Sequence, residues 1–305
     1  MAARAAVYRD SQRTLPFDAI TQHGTARMHD PDLIAPWQRD GYLVLPGFAS
    51  ARAVARLRAA GQAIVDAFEP AGGAVFSSRD RGRMSDGALL QSADRVRCFF
   101  EEEAFDEQGR LTVPKARAIN KIGHALHDRD PVFDRFSRDP RLAELACRLG
   151  LAQPLLMQSM LIFKQPRIGG EVLWHQDATF LFTEPQSAVG FWFALEDAAR
   201  DNGCLWVEPG GHRSPLRERY VCHDGRLSMQ TLDSTPLPRA GAGLPLEVPA
   251  GTLVVFDGRL PHASAPNRSP RSRMAYTLHV VDGACAYSPL NWLQRGPTYP
   301  ARGFD

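Results

Sequence analysis

Residues 155–165, Leu155-Leu156-Met157-Gln158-Ser159-Met160-Leu161-Ile162-Phe163-Lys164-Gln165, open a series of strand-like segments that fills the second half of the chain. Further runs follow at 171–180, 189–196, 204–207, 244–248, 252–256 and 273–281. Turn residues separate them: Gly169-Gly170, Asp201-Asn202-Gly203, Pro209-Gly210-Gly211, Ala250-Gly251 and Asn267-Arg268-Ser269-Pro270. Seven or eight short strands punctuated in this way predict a β-sandwich or barrel. Strands and helices do not alternate, which argues against a parallel doubly wound sheet, and no internal repeat is visible. Alternate residues of a strand share a face, so Met160 falls with Gln158 and Ile162, and Trp192 with Ala194. The polar stretch 212–242 interrupts the strands and is expected to form a lid over the barrel mouth.

Before Gly150 the patterning is helical. Residues 1–30 are polar and aperiodic and read as a loose N-terminal arm. Pro31 suits the first turn of a helix reaching Arg39 or Asp40; Gly41 breaks it, and residues 42–46 read as a short strand. Ser50 is placed as the N-cap of a helix to Phe68, with Val54, Leu57, Ala60, Ile64 and Phe68 along one stripe. Gly, Ser, Arg and Asp dominate 69–94, a loop, and helical character returns over 115–127 and 140–149. The expected organisation is one domain over 31–305, a helical elaboration (31–150) on a β core (151–295).

Composition narrows the function. The 36 basic and 34 acidic residues nearly cancel, which argues against a nucleic-acid partner. Five cysteines, Cys98, Cys147, Cys204, Cys222 and Cys285, are widely spaced without a Cys-x-x-Cys pair. Neither a disulfide framework nor a zinc knuckle is indicated, and reduced thiols in a cytoplasmic protein are expected. No apolar stretch is long enough for a signal peptide or a membrane span. Only Lys115, Lys121 and Lys164 are lysines, so each invites a separate look.

The strongest chemical signal is Trp174-His175-Gln176-Asp177. In extended backbone His175 and Asp177 face the same way, so an imidazole and a carboxylate can reach one point. A His-x-Asp tripeptide is common by itself. His262, in the expected loop after strand 252–256, supplies the third ligand that gives it weight. Two histidines and a carboxylate on one face leave positions of an octahedral iron open for co-substrate and dioxygen. A zinc hydrolase can use the same donors. Arg273, eleven residues past His262 and opening the last strand, points instead to 2-oxoglutarate. That molecule chelates iron at one end and leaves a carboxylate at the other, which a guanidinium meets with two parallel hydrogen bonds. Arg268 and Arg271 lie in a Pro- and Ser-rich turn and are expected to face water. His124 and His127, at i and i+3 of the expected helix, are read as structural. His279 shares strand parity with Arg273 and is read as a core histidine.

His175-x-Asp177, His262 and Arg273 at this spacing resemble the phytanoyl-CoA dioxygenase family. The likeness extends through Asn120-Lys121-Ile122-Gly123-His124-Ala125-Leu126-His127, Gln158-Ser159-Met160, Phe163-Lys164-Gln165-Pro166 and Gly169-Gly170-Glu171-Val172. It continues in Asn202-Gly203-Cys204-Leu205-Trp206, Ala275-Tyr276-Thr277 and Asn291-Trp292-Leu293-Gln294, and is closest to the phytanoyl-CoA dioxygenase domain-containing protein 1 group. The resemblance implies a mainly β fold with flanking helices and a double-stranded β-helix core, a cupin-like jelly roll. It also implies iron(II), 2-oxoglutarate and O2. It assigns His175, Asp177 and His262 to the metal and Arg273 to the distal carboxylate of 2-oxoglutarate. Lys121, Met160, Trp192 and Ser264 match positions that line the co-substrate pocket. Pro209-Gly210-Gly211-His212 departs from the family in lacking Ser before the histidine. The segments 72–94 and 213–243 lie outside the matching motifs, so the choice of small-molecule substrate is expected to reside there.

The expected reaction is hydroxylation of an unactivated C–H bond, with 2-oxoglutarate oxidatively decarboxylated to succinate and CO2. Asp177 favours it over halogenation, because a carboxylate stands where a halide would bind. Desaturation, cyclisation or epimerisation on the same core, a zinc-dependent hydrolase and a catalytically silent binding module are the alternatives.

Overall fold

The computed structural model describes residues 31–70, 74–76 and 86–305. The expected arm over 1–30 and part of the loop over 69–94 lie outside the described residues. A 3-10 turn (Pro31–Leu33) leads into α1 (Ile34–Asp40), which ends where expected: Gly41 takes φ 79° and donates its N–H to the Trp37 carbonyl. β1 (Tyr42–Leu45) and α2 (Ala51–Ala67) follow, the Ser50 hydroxyl accepting from Ala53 N–H at 3.2 Å as the cap. Next come β2 (Ala74–Phe76), α3 (Asp86–Leu90), β3 (Val96–Glu101), β4 (Ile119–His124), α4 (Leu126–Arg129), α5 (Pro131–Ser137) and α6 (Pro140–Arg148). Asp130 and Asp139 cap α5 and α6, each helix opening with a proline.

The second half supplies β5 (Pro154–Lys164), β6 (Val172–His175), β7 (Thr183–Glu184), β8 (Val189–Ala194), β9 (Leu205–Val207), β10 (Glu218–His223) and β11 (Arg226–Thr231). It closes with β12 (Leu244–Leu246), β13 (Leu253–Asp257), β14 (His262–Ser264), β15 (Arg273–Asp282) and β16 (Ala286–Tyr287). Eight strands form one sheet in the order β1-β13-β8-β15-β5-β4-β3-β2, and four form a second in the order β12-β9-β14-β6. Together they make the expected jelly roll.

Strand alternation divides the large sheet into two faces. Leu43, Leu161, Phe191, Phe193, Val255, Tyr276 and Leu278 pack outward with Val54 and Leu57 of α2 and with Phe133, Leu142 and Leu145 of α5 and α6. Trp192, Ala194, Val254, Phe256 and Ala275 point inward, onto Leu205, Val207 and Leu246 of the small sheet. The helices seal one face of the large sheet, and the other face is left for chemistry.

Four expectations are corrected. Residues 115–127 are not helical: a 3-10 turn at Lys115–Arg117 precedes β4, and only Leu126–Arg129 is helix. Ile119 and Ile122 mimic helical spacing, but β4 pairs with both β3 and β5, and that pairing overrides a weak local preference. The strand expected over 171–180 stops at His175, and Asp177 opens a 3-10 turn to Thr179. His262 lies in a strand rather than a loop. The 212–242 stretch, expected to interrupt the strands, contains two of its own. β10 and β11 form a hairpin over Asp224-Gly225, both at positive φ, a turn whose twist suits antiparallel strands.

Leu161 tests the two-faced sheet. It is fully buried on the helix side, so tightly against α2 that a Cβ on Gly61 would lie 2.3 Å from its Cδ2. Leu161→Ala is expected to lower stability to urea by about 2–5 kcal/mol, while iron affinity in the folded variant stays at the wild-type value.

Candidate metal centre

β14 lies between β9 and β6 in the small sheet, and the β14–β6 register sets His262 directly opposite His175. Each imidazole is locked by a backbone carbonyl two residues earlier: His175 Nδ1 donates to Leu173 O at 2.8 Å, and His262 Nδ1 to Leu260 O at 3.0 Å. With the proton on Nδ1, each ring presents its Nε2 lone pair, the form a metal needs. These atoms stand 3.5 and 3.7 Å from Asp177 Oδ1. All three donor atoms lie within 4.8 Å of one another, a spacing that one ion can bridge. The 3-10 turn thus brings Asp177 to the histidines by a different route from the expected extended tripeptide.

The other carboxylate oxygen of Asp177 accepts from His279 Nε2 at 2.9 Å. Gly190 on β8 leaves room for it, since a Cβ there would sit 3.1 Å from Asp177 Oδ2 and 2.6 Å from the Phe256 ring. Burial would raise the Asp177 pKa, but His279, His262 and His175 outweigh it and hold the carboxyl well below its usual range. Burial, reinforced by His175, pushes His262 down to about 4, so its ring is neutral and free to coordinate at physiological pH. An anionic oxygen and two neutral imidazoles on one side of a point suit a divalent metal with open positions.

A cavity of about 220 Å³ opens beside these donors. Lys121, Met160, Trp192, Ser264 and Arg273 all line it, as do the three donors. Arg273 is fully buried; its Nε donates to Gly203 O at 3.1 Å, and its guanidinium lies 5.5 Å from the Trp192 ring centroid. Its Nη1 has no partner among the described residues. Such an orphaned donor calls for a partner, and a carboxylate fits. Burial pushes Arg273 down to about 10, leaving it charged near neutrality. Arg268 and Arg271 face water as expected, paired with Glu103 and Asp201. Donor set and orphaned guanidinium together fit iron(II) and 2-oxoglutarate.

Lys121 comes from a strand, not a helix, with its Nζ 3.2 Å from the Phe76 ring centroid. Burial pushes it down to about 7, against the pull of Glu101. Lys164, singled out only as a rare lysine, also lines the cavity, its Nζ held by the carbonyls of Gly170, Ser264 and Ala265. Sequence reading gave no role to Gln158 or Trp292, and it took His124 as structural. All three reach the cavity wall. The parity of Gln158 with Met160, and of His279 with Arg273, was the available signal.

Comparison with known proteins agrees with this site. Residues 37–275 match the family model described as Phytanoyl-CoA dioxygenase (PhyH). The chain is 46% identical over 259 residues to Phytanoyl-CoA dioxygenase 1 of Oryza sativa subsp. japonica, covering 84% of this chain and 90% of that one. It is 41% identical over 280 residues to phytanoyl-CoA dioxygenase domain-containing protein 1 of Mus musculus, covering 88% and 96%. Two more distant solved structures share the fold. EctD from S. alaskensis, crystallised with 2-oxoglutarate and 5-hydroxyectoine, has TM-score 0.58 and 22% identity, with 90% of this chain and 84% of that one covered. The non-heme alpha ketoglutarate dependent carbocyclase SnoK from nogalamycin biosynthesis has TM-score 0.59 and 18% identity, with 91% and 99% covered. The chain belongs to the phytanoyl-CoA dioxygenase family and is a 2-oxoglutarate-dependent non-haem iron dioxygenase.

Proposed function

We propose that this enzyme hydroxylates an unactivated C–H bond of a small molecule, converting 2-oxoglutarate to succinate and CO2. One observation carries the reading: a single cavity holds three convergent metal donors and a buried guanidinium whose Nη1 has no partner among the described residues. His175, Asp177 and His262 would hold iron(II). Arg273 would pair the distal carboxylate of 2-oxoglutarate, with Lys121 as a second cation and Met160, Trp192 and Ser264 lining the site. Iron(II) with 2-oxoglutarate and O2 supplies the oxidising power. The protein positions the reactants and walls them from water. His279 fixes the orientation of Asp177 by holding the oxygen turned away from the histidines. A hydrolase would have no use for the orphaned Arg273. The five free cysteines favour a reducing compartment, the cytoplasm.

His175→Ala and His262→Ala are expected to stay folded by circular dichroism but to lose iron binding and succinate formation. Normal turnover in both would refute the ligand assignment. Arg273→Met leaves a buried carboxylate unpaired, a loss of roughly 3–5 kcal/mol. At about tenfold per 1.4 kcal/mol, 2-oxoglutarate affinity should fall by about two orders of magnitude or more. Arg273→Lys should restore only part of it, because a point charge cannot reproduce the fork. Anaerobic titration of the iron–2-oxoglutarate charge-transfer band reads both.

Lys121 predicts a proton effect. With its pKa pushed down to about 7, Lys121 is mostly neutral at pH 8, and a bound carboxylate favours its charged form. Binding of 2-oxoglutarate at pH 8 should therefore take up part of a proton, and affinity should fall as pH rises through 7 to 9. Calorimetry in buffers of different ionisation enthalpy measures the uptake, which should vanish in Lys121→Met.

A further inference from the structure

The cavity has a second polar cluster, away from Arg273. His124, Gln158, His279 and Trp292 line it, each at most 6% exposed. Gln158 and His279 are cross-strand partners on β5 and β15, and the rings of His124 and Trp292 meet edge-on at 5.1 Å. Phe99, Leu89, Phe180 and Leu181 surround the group with apolar surface.

The hydrogen-bond pattern fixes what each residue offers. The Ser92 hydroxyl donates to Leu89 O at 2.6 Å, so it must accept from His124 Nδ1–H at 2.8 Å. Burial holds His124 neutral, so its Nε2 is an acceptor. Asp177 accepts from His279 Nε2–H, and among the described residues His279 Nδ1 is buried without a partner. Trp292 Nε1–H is likewise a buried donor without a partner among the described residues. The Gln158 amide, donor and acceptor at once, lines the same wall. Buried polar groups left without partners are rare, and here the unpartnered atoms of His279 and Trp292 share one wall with His124 and Gln158.

The charges in the cavity are already committed. Among the described lining residues Asp177, Arg273, Lys121 and Lys164 are the ionisable carboxylate and cations. Asp177 serves the metal, Arg273 and Lys121 serve 2-oxoglutarate, and Lys164 is tied to three carbonyls. Among the described lining residues none is left for a charged substrate group. The volume is also modest: about 220 Å³ falls below the usual range of roughly 300–1,000 Å³, and 2-oxoglutarate must share it.

We propose that His124, Gln158, His279 and Trp292 form the substrate-recognition wall, and that it takes a compact, uncharged, largely apolar molecule through one hydroxyl group. A hydroxyl donates once and accepts up to twice, which matches the acceptor on His124 beside donors on Trp292 and Gln158, with His279 on the same wall. This rests on the 2-oxoglutarate reading of the other half of the cavity. A site built to hydrogen-bond a hydroxyl rejects the analogue that lacks it, because its own buried groups are then left unpaired.

The test separates the two readings. Iron(II) and 2-oxoglutarate are first added anaerobically to the full chain, and their charge-transfer band reports the co-substrate site alone. Cyclohexanol, methylcyclohexane, cyclohexanecarboxylate and cyclohexylammonium are then titrated separately, with binding followed by ligand-observed NMR. Cyclohexanol should bind about tenfold or more tightly than each of the others. Trp292→Phe and Gln158→Leu should each erase most of that preference, and a 2-oxoglutarate titration of both variants distinguishes a local effect from loss of the fold. Equal binding of the four probes, preference for the anion or the cation, or no binding of cyclohexanol overturns the proposal, and the wild-type comparison needs no variant. A missing charge-transfer band overturns the co-substrate reading and this proposal with it.

Discussion

The pairing of His262 with His175 across β14 and β6 is the constraint on which the site depends. A slip of one residue would turn either side chain to the opposite face of the sheet and separate the imidazoles. β14 is pinned from both sides, since His262 also stands opposite Val207 of β9. Its side chain is fixed in turn by the bond to Leu260 O. Against β9 the pairing runs on unbroken to Ser264, two residues on and therefore on the same face, while against β6 it shifts between the two. One strand of three residues thus contributes to the cluster of donors and to the wall of the cavity. The large sheet answers with Trp192, Met160 and Arg273 on its inner face, and the helices stabilise that sheet from the face where no chemistry occurs.

Asp177 reaches the histidines only because its neighbourhood was cleared and oriented for it. The 3-10 turn brings the carboxylate round, and Gly190 makes room for it. His279 then takes one oxygen, leaving the other 3.5 and 3.7 Å from the two Nε2 atoms. The carboxylate is thereby oriented before a metal arrives, and less ordering remains to be done on binding. His279 belongs to β15, as does Arg273. A single strand therefore orients a candidate metal donor near its far end and buries a guanidinium at its start.

The strands β5, β6, β8, β9, β12, β13 and β15 were legible in the sequence because each is a short apolar or alternating run bounded by turns rich in Gly, Pro, Asn or Asp. The residues expected at the site lie together around one cavity, although Asp177 comes to it through a 3-10 turn rather than strand parity. Lys121 was placed on the wrong element, because Ile119 and Ile122 imitate a helical stripe and the pairing that makes β4 a strand involves residues up to 41 positions away. The hairpin at Asp224-Gly225 carried its own signal and was obscured by the polarity of its strands. Gln158 and Trp292 could not be assigned a role locally. The significance of Trp292 lies in an indole N–H without a partner among the described residues, and partners are a property of the whole fold.

The charges explain how the two halves of the cavity divide their work. Lys121, Lys164 and Arg273 line the cavity, with Asp177 the carboxylate among its described lining residues, and a divalent metal would add two more positive charges. Burial already loosens the hold of Lys121 on its proton, down to about 7, against the pull of Glu101. A dianion with one carboxylate for the metal and one for Arg273 relieves both ends together. Metal and 2-oxoglutarate are therefore mutually supporting ligands of one electrostatic site, and each should bind more tightly in the presence of the other. With those cations offset by the dianion, the rest of the described lining would offer hydrogen bonds and aromatic surface without a free charge. On the proposed reading, the electrostatics that recruit the co-substrate would thereby also select a neutral substrate.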